Sequence, residues 1–388
     1  MNSSLIVLAP HIKYPLRNGG DIYAERIGRN LSLFRGQTII LGANTVTRCQ
    51  NGEIVDQQFF QNDFRAKSWA ALRVMTFNSH YLLEKFLTNA YRQKARELVR
   101  ENPQAVIIYS FIASAQLKLE TKSAVILTHN DEIAWFQHQS QFSNNPLQKL
   151  ASQVSENWIK KFLQKRAKDF FFAHATESDL KGYRQWDPEH NGFVVPVGVD
   201  MLKIPDDAPY DGTIRLLFVG SLGVKTNYDA LVFFQQRFWT VLKDKFKQKI
   251  EMTVLGSQPS EAVRSLCEQE NWQLFPDASE EKLCAQYGRA TFMIAPFPYT
   301  NGAKLKLLNA LAAGLPVLAT VNMKYLSGQE FAPNLYSDEP QEWVSHLRKF
   351  KDTGVLPLQR ALCRQYASQY SWKKIAADMN KKMRELGI

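Results

Sequence analysis

The sequence predicts an α/β protein with two doubly wound parallel sheets, each covered by helices on both faces. Short apolar runs alternate with helix-like segments along all 388 residues. A polar passage with two prolines, IPDDAPYDG, divides these runs into two series, and we take residues 201–212 as a linker. A chain of this length, with 45% hydrophobic residues, is large enough to form two cores.

The apolar runs define the predicted strands of each domain. In the N-terminal domain, residues 1–200, they are Leu5–Ala9, Thr38–Gly42, Ala105–Tyr109, Ala124–Thr128 and Phe170–Ala175. In the C-terminal domain, residues 213–368, they are Arg215–Gly220, Glu251–Gly256, Phe292–Pro296 and Pro316–Thr320. A helix is predicted over Ile22–Phe34, and residues 369–388 form a closing helical segment. Because ligands of such sheets bind beyond the carboxyl ends of the strands, we expect the two domains to face a ligand cleft.

Residues 300–320, TNGAKLKLLNALAAGLPVLAT, combine an anion-binding turn, a helix and a buried strand. Asn301 and Gly302 predict a turn in which a ligand can approach the main chain. Lys304 and Lys306 lie in the first helical turn, where the dipole disfavours cations, so their presence indicates a nearby anion. Gly314 is expected to end this helix. The alternative is an ordinary surface helix with two solvated lysines.

Two further glycine passages follow predicted strands. Gly19 and Gly20, in the passage RNGGD, follow the first strand, so their amides are expected to face an anion or a transferred group. Gly220 and Ser221 follow the first strand of the second domain, and Lys225 lies close behind them. Alternative interpretations are a plain tight turn at the first passage and an exposed loop lysine at Lys225.

These passages, in this order, resemble the nucleotide-sugar glycosyltransferases of the GT-B fold, especially the large retaining family numbered four. That family reads roughly G-T-R-x-K-x-x-E-A-x-A-x-G-x-P-V-V-A-T where this chain has residues 302–320, and F-V-G-S followed by N-x-D-A at residues 218–230. The passages HNDE, TESD, VPVGVD and YSW extend the resemblance through nearly the whole chain. The last of them implies that the C-terminal helix, within residues 369–388, crosses back to pack on the N-terminal domain. The chain departs from the family at Asn301 and Asn309, where relatives commonly have glutamates that bind the donor sugar and the ribose.

The resemblance implies transfer of a sugar from a UDP- or GDP-sugar to a hydroxyl of a glycan or lipid-linked acceptor, in bacterial surface polysaccharide synthesis. It implies no cofactor and no metal ion, with the donor held by the two glycine passages, Lys225 and residues 301–309. His129 and Asp21 are the candidate catalytic residues, and Asp131 and Glu132 are alternative bases. His129 is otherwise the cap of a strand-to-helix turn. Rival functions are a GT-B-like sugar epimerase and a degenerate sugar-binding or scaffold protein.

The net charge of +11 requires partners of negative charge. The chain shows no nucleic-acid-binding module, so we expect a nucleoside diphosphate and anionic membrane lipid as partners, and no nucleic acid. Residues 64–87 and 157–172 are candidate basic amphipathic helices for such a surface, or else ordinary helices packed on the sheet. The four cysteines form no CxxC pair, and no signal peptide or transmembrane segment is evident. We therefore expect a cytoplasmic protein, either free or peripheral on the inner face of the cell membrane.

Overall fold

The computed structural model describes residues 4–16, 19–62, 67–77, 79–117, 119, 123–143, 145–202, 204, 211–298, 305–326, 334–350 and 355–388. Contacts divide the chain into two compact units. The first contains residues up to Gly198 together with Trp372–Ile388, and the second lies between Val199 and Ser371. Most of the predicted linker falls outside the described residues, so its bounds remain a prediction.

Eight strands form the sheet of the first unit. They are β1 (Leu5–Leu8), β2 (Gln37–Leu41), β3 (Thr45–Gln50), β4 (Glu53–Phe59), β5 (Val106–Tyr109), β6 (Ala124–Leu127), β7 (Phe171–His174) and β8 (Gly192–Val194). Their order is β4-β3-β2-β1-β5-β6-β7-β8, and β3 pairs antiparallel with both β2 and β4, whereas the other pairs are parallel. The five predicted strands are confirmed, whereas the hairpin β3–β4 was not predicted. Its turn is formed by Asn51 and Gly52, which both have positive φ, 49° and 79°.

Helices cover this sheet. They are α1 (Gly19–Arg35), α2 (Lys67–Phe77), α3 (Tyr81–Phe86), α4 (Asn89–Glu101), α5 (Glu132–Phe142), α6 (Pro146–Arg166), α7 (Glu177–Arg184) and α15 (Trp372–Glu385). The side chains of Thr88, Asp131 and Thr176 accept amide hydrogen bonds at the starts of α4, α5 and α7. The helix predicted over Ile22–Phe34 was placed too late, because the chain turns helical at Gly19, so Gly19 and Gly20 form its first turn rather than a loop.

The two candidate amphipathic helices are also divided differently. Residues 64–87 contain two helices, α2 and α3, and residues 157–172 contain the end of α6 and the start of β7. On α6, Ile159, Phe162 and Leu163 are buried, so its apolar face packs inside the first unit. On α2, by contrast, Trp69 and Leu72 are 52% and 45% exposed.

The last helix, α15, packs against α1. Arg35 Nε donates a hydrogen bond of 2.6 Å to Asn380 Oδ1, and the rings of Tyr23 and Trp372 lie 6.3 Å apart. Trp372 also lies against Gly198, where a Cβ would come within 2.5 Å of the indole ring. The packing of α15 in the first unit therefore depends on the absence of a side chain at Gly198 and on a buried hydrogen bond between Arg35 and Asn380.

A buried histidine pair lies beside β7. His174 Nε2 is 2.8 Å from His190 Nε2, and His174 Nδ1 is 2.9 Å from Thr128 Oγ1. Burial lowers the pKa of His174 to about 3 and that of His190 to about 4. Both rings are therefore neutral near pH 7.

Six strands form the fully parallel sheet of the second unit. They are β9 (Ile214–Val219), β10 (Ile250–Gly256), β11 (Gln273–Pro276), β12 (Phe292–Ala295), β13 (Val317–Ala319) and β14 (Leu335–Tyr336). Their order is β11-β10-β9-β12-β13-β14. The helices are α8 (Lys225–Phe234), α9 (Thr240–Phe246), α10 (Glu261–Gln269), α11 (Glu280–Arg289), α12 (Leu305–Ala312), α13 (Pro340–Lys349) and α14 (Val355–Ser368). The four predicted strands are confirmed, and β11 and β14 were not predicted.

Two glycines shape this unit. Gly314, with φ of 82°, ends α12 as predicted, and the amide of Leu315 bonds back to the carbonyl of Ala310. Gly256 ends β10 so close to β9 that a Cβ there would lie 1.6 Å from the carbonyl oxygen of Gly220. In the part of the chain that the structure describes, no helix has both the length and the apolar character to span a bilayer.

Candidate functional site

A cavity of about 490 Å³ opens in the first unit, where β1, β5 and β6 end. Its lining contains aromatic, basic and acidic side chains: His11, Gly20, Asp21, Tyr81, Leu82, Lys85, Phe86, Phe111, His129, Asn130, Glu132 and Trp135. Parallel strands deliver their carboxyl ends to one edge of the sheet, which brings the residues after β1, β5 and β6 together. The structure thus places the predicted residues Gly20, Asp21 and His129 in one cavity.

His129 is held in a defined orientation. Its Nε2 lies 2.8 Å from Ser110 Oγ, and its ring makes edge-to-face contacts with Tyr23 and His11, at centroid distances of 5.7 Å and 5.0 Å. Burial lowers the pKa of His129 to about 4. The imidazole is therefore neutral near pH 7, the form that can accept a hydrogen bond or a proton.

Asp21 lies in the first turn of α1 and is buried. His11 Nε2 is 3.7 Å from Asp21 Oδ1. Burial, and then the neighbouring His129, lower the pKa of His11 well below its ordinary value. Asp21 thus faces a neutral histidine, and Gly19, at the exposed start of α1, is not part of the cavity lining.

Glu132 begins α5 and is the most unusual group of the cavity. Its Oε1 accepts a hydrogen bond of 3.3 Å from the amide of Ile112, whereas Oε2 has no hydrogen-bond partner among the described residues. Burial raises the pKa of Glu132 to about 7. The carboxyl group is therefore close to half ionised near neutral pH.

His80 lies behind Glu132, with Nε2 4.0 Å from Glu132 Oε2. Its Nδ1 accepts a hydrogen bond from the amide of Leu82, so the neutral ring carries its hydrogen on Nε2. Burial lowers the pKa of His80 to about 3. The two facing atoms, His80 Nε2 and Glu132 Oε2, are both buried and are too far apart for a hydrogen bond.

In the second unit, a lysine is fixed beside the end of β9. Lys306 Nζ donates a hydrogen bond of 2.8 Å to Asn227 Oδ1 and lies over the rings of Phe297 and Phe218, 4.5 Å and 5.0 Å from their centroids. Asn227 in turn donates through Nδ2 to the carbonyl of Ser221, at 2.9 Å. Three predicted residues therefore lie close together: Lys306, Ser221 and, directly before Ser221 at the end of β9, Gly220.

The other predicted donor-binding residues are placed differently. Lys225 is exposed, and its Nζ lies 2.8 Å from the carboxylate of Asp229. Asn309 lies on α12, three residues after Lys306, and is partly buried. Asn301, Gly302 and Lys304 are outside the described residues. The described part of the chain holds no group of three or more residues suited to bind a metal ion.

Sequence reasoning missed several cavity residues. His11 carried a usable signal, because it follows β1 by three residues and so lies at the ligand-binding edge of the sheet. Lys85 and Trp135 carried none, because they lie on helices whose packing brings them to the cavity.

Comparison with known proteins agrees with the predicted resemblance. Residues 213–349 match the family model Glycosyl transferases group 1. Sucrose-phosphate synthase from Thermosynechococcus elongatus is 12% identical, with 99% of both chains covered and a TM-score of 0.68. WaaG, a glycosyltransferase involved in lipopolysaccharide biosynthesis, is 16% identical, with 97% of this chain and 98% of WaaG covered and a TM-score of 0.60.

A third similar structure is Anabaena HepE in complex with UDP-glucose, 10% identical, with 98% of this chain and 99% of HepE covered and a TM-score of 0.59. A search of curated proteins gave no match. At these identities the solved structures establish the fold, and the family model adds the class of enzyme. The chain is therefore a glycosyltransferase of the GT-B fold, with a Glycosyl transferases group 1 domain over residues 213–349.

Proposed function

We propose that the protein transfers a sugar from a nucleoside diphosphate sugar, a UDP- or GDP-sugar, to a hydroxyl of a glycan or lipid-linked acceptor. The observation that carries this proposal is the fixed Lys306 beside the Gly220–Ser221 turn, within the domain that matches the family model. A cation held at a strand end suits a diphosphate. The UDP-glucose complex of HepE supports this class of donor.

The proposed chemistry depends on charge that develops as the donor breaks. When the bond from the sugar to the diphosphate breaks, its electron pair stays with the diphosphate oxygen. A cation that is already oriented stabilises this charge more than the ground state. Lys306 performs this task without a metal ion, assisted by Lys304 and the amides near Gly302. Asn309 lies one helical turn beyond Lys306 and binds the ribose.

The acceptor binds in the first-unit cavity, with its reacting hydroxyl near His129. The acceptor oxygen forms its bond to the anomeric carbon as the bond to the diphosphate breaks, and the neutral imidazole, fixed by Ser110, accepts the proton that this hydroxyl loses. Asp21 and the amides of Gly19 and Gly20, at the amino end of α1, orient the transferred group. The acceptor belongs to a bacterial surface polysaccharide, and the enzyme works in the cytoplasm at the inner face of the membrane.

A thermal-shift screen tests the proposal. The purified protein is heated alone and with 1 mM UDP-glucose, UDP-galactose, UDP-N-acetylglucosamine or GDP-mannose. A donor at 100 times its Kd stabilises the folded state by about 2.7 kcal/mol, and at least one donor should raise Tm by several degrees. The absence of a shift with every UDP- and GDP-sugar would contradict the proposal.

The variant His129→Ala separates donor binding from transfer. We expect transfer to fall about 100-fold or more, while the shift produced by the donor stays within a degree of the wild-type value. An equal loss of donor binding and transfer, or unchanged turnover, would show that His129 takes no part in the transfer step. A wild-type protein that binds a donor without turnover would favour the rival function of a degenerate sugar-binding or scaffold protein.

A further inference from the structure

We infer that Asn130 determines which sugar the acceptor carries, because its carboxamide binds a hydroxyl next to the reacting one inside the first-unit cavity. The inference rests on the proposed function and deepens it. It assigns to the acceptor a sugar unit with neighbouring hydroxyl groups, of which one reaches His129 and the next reaches Asn130.

The first argument is the position of Asn130. It directly follows His129 in the loop between β6 and α5, and both residues line the cavity. Consecutive Cα atoms lie about 3.8 Å apart, so two neighbouring side chains that line one cavity contact adjoining parts of a ligand. A ligand that brings a hydroxyl to His129 therefore places the next group of its ring beside Asn130.

The second argument is the hydrogen-bond state of the carboxamide. Asn130 is partly exposed, and its side chain makes no hydrogen bond within the part of the chain that the structure describes. Neither its oxygen nor its nitrogen is enclosed by the protein. Both atoms are therefore open to a ligand in the cavity.

The third argument is that the backbone on either side of Asn130 is fixed. His129, before it, is oriented by the contacts described above. Asp131, after it, caps α5, and its amide donates a hydrogen bond of 3.0 Å to Asp179 Oδ1. Asp131 Oδ2 packs so closely on α7 that a Cβ at Gly182 would lie 2.0 Å away. A side chain on a fixed backbone loses less freedom on binding, which favours selective recognition.

The fourth argument concerns the kind of ligand. A carboxamide has an acceptor oxygen and two donor hydrogens, and a sugar hydroxyl both donates and accepts. An alkyl chain would pair with neither atom, and a phosphate group would pair with the donors alone. Phe111 and Trp135 add aromatic surface for the C–H groups of a sugar, and the volume of about 490 Å³ is that of a small-molecule site. The cavity therefore suits a sugar unit.

Binding of deoxy sugars tests the inference without a donor. Ligand-observed NMR with the full-length protein first identifies the tightest binder among the methyl α- and β-D-glycosides of glucose, galactose and mannose. Its monodeoxy analogues, at carbons 2, 3, 4 and 6, are then compared with it. We expect Asn130→Ala to weaken binding of the parent glycoside about 10-fold or more. One deoxy analogue should bind wild type equally weakly but lose nothing further in Asn130→Ala, because the hydroxyl and its partner are then both absent.

Asn191→Ala, at an exposed asparagine of the same unit, is the matched control and should leave every affinity unchanged. Without ligand, the Tm of Asn130→Ala should stay within about two degrees of wild type, because the side chain has no hydrogen bond to lose among the described residues. A larger fall in Tm would assign Asn130 to the fold and overturn the inference. It would also be overturned by no glycoside binding, by unchanged affinity in Asn130→Ala, or by deoxy penalties that all persist in that variant.

The donor-induced shift in Tm separates this inference from the proposed function. Glycoside binding that depends on Asn130, with no donor shift in wild type, would reject the proposed function while supporting the role of Asn130. A donor shift in both proteins, with glycoside affinities that are the same in wild type and Asn130→Ala, would reject the inference alone.

Discussion

Lys306 is positioned before any ligand arrives. Two phenylalanine rings and the carboxamide of Asn227 surround its ammonium group, and Asn227 is itself fixed by the carbonyl of Ser221. A lysine side chain has about 2 kcal/mol of rotamer entropy to lose on fixation, and here part of that loss occurs on folding. Asn227 is therefore a positioning residue for the cation.

A double-mutant cycle measures this positioning. Lys306→Met should weaken UDP or GDP binding about 10- to 100-fold and leave binding of the nucleoside nearly unchanged, because the proposed contact of the cation is with the diphosphate alone. Asn227→Ala should weaken diphosphate binding alone but add little when Lys306 is already replaced, with a coupling of about 0.5–3 kcal/mol. Isothermal titration supplies the constants, and Lys245→Met, at an exposed site, is the control. Additive effects would show that Asn227 acts only on the fold.

At the level of elements, the ends of β9 and β10 touch through backbone. No side chain fits at Gly256, because a Cβ there would overlap the carbonyl oxygen of Gly220. Gly220 in turn begins the Gly220–Ser221 turn, which lies next to Lys306. The pairing of β9 with β10 and the position of the Gly220–Ser221 turn therefore depend on the same glycine.

Gly256→Ala should lower the free energy of unfolding by about 3 kcal/mol and also weaken donor binding. Gly288→Ala, inside α11, is the matched control, because its Cβ would meet a side-chain methyl of Ile204 at 3.1 Å rather than a backbone atom. That change should cost much less, since the methyl needs to shift by only a few tenths of an ångström and alanine favours a helix over glycine. Chemical denaturation with and without donor measures both effects. If the two variants have equal stability, the backbone contact does not constrain the sheet.

The sequence predicted the central strands well, because buried parallel strands are continuous apolar runs, as in Leu5–Leu8 and Phe292–Ala295. It missed β4, which is mostly exposed and polar, although the Asn51–Gly52 turn was a signal. Within the cavity, His129 and Asp21 follow strands or glycines and were predicted. The positions of Lys85 and Trp135 depend on how α3 and α5 pack, which local periodicity does not encode.

For the whole molecule, the net charge of +11 and the exposed Trp69 and Leu72 on α2 motivate the membrane part of the proposal. The protein should float with vesicles of phosphatidylglycerol and phosphatidylcholine at 50 mM salt and dissociate near 0.5 M, where charges are screened within about 4 Å. Replacing Trp69 and Leu72 by alanine should reduce flotation. Leu358→Ala, at an exposed leucine of the second unit, should not. Absence of binding at low salt would contradict peripheral association.

Five histidines of the first unit have pKa values lowered by burial: His11, His80, His129, His174 and His190. Unfolded histidine titrates near 6.5, so their contribution to stability is complete above that pH and is lost as the pH falls toward about 4. Burial raises the pKa of Glu132 to about 7, and it also raises the pKa values of Asp131 and Asp179. The contribution of these carboxyl groups to the free energy of unfolding therefore increases as the pH falls.

The histidines outnumber these carboxyl groups, so the first unit should lose several kcal/mol of stability between pH 6.5 and 4. Hydrogen exchange at pH 7 and 4.5, resolved by peptide, should show protection lost from β1, β6 and β7 while β9 and β12 stay protected. Simultaneous loss in both units would refute this asymmetry. The neutral imidazoles of His11 and His129, which line the first-unit cavity, therefore also make this half of the enzyme sensitive to acid.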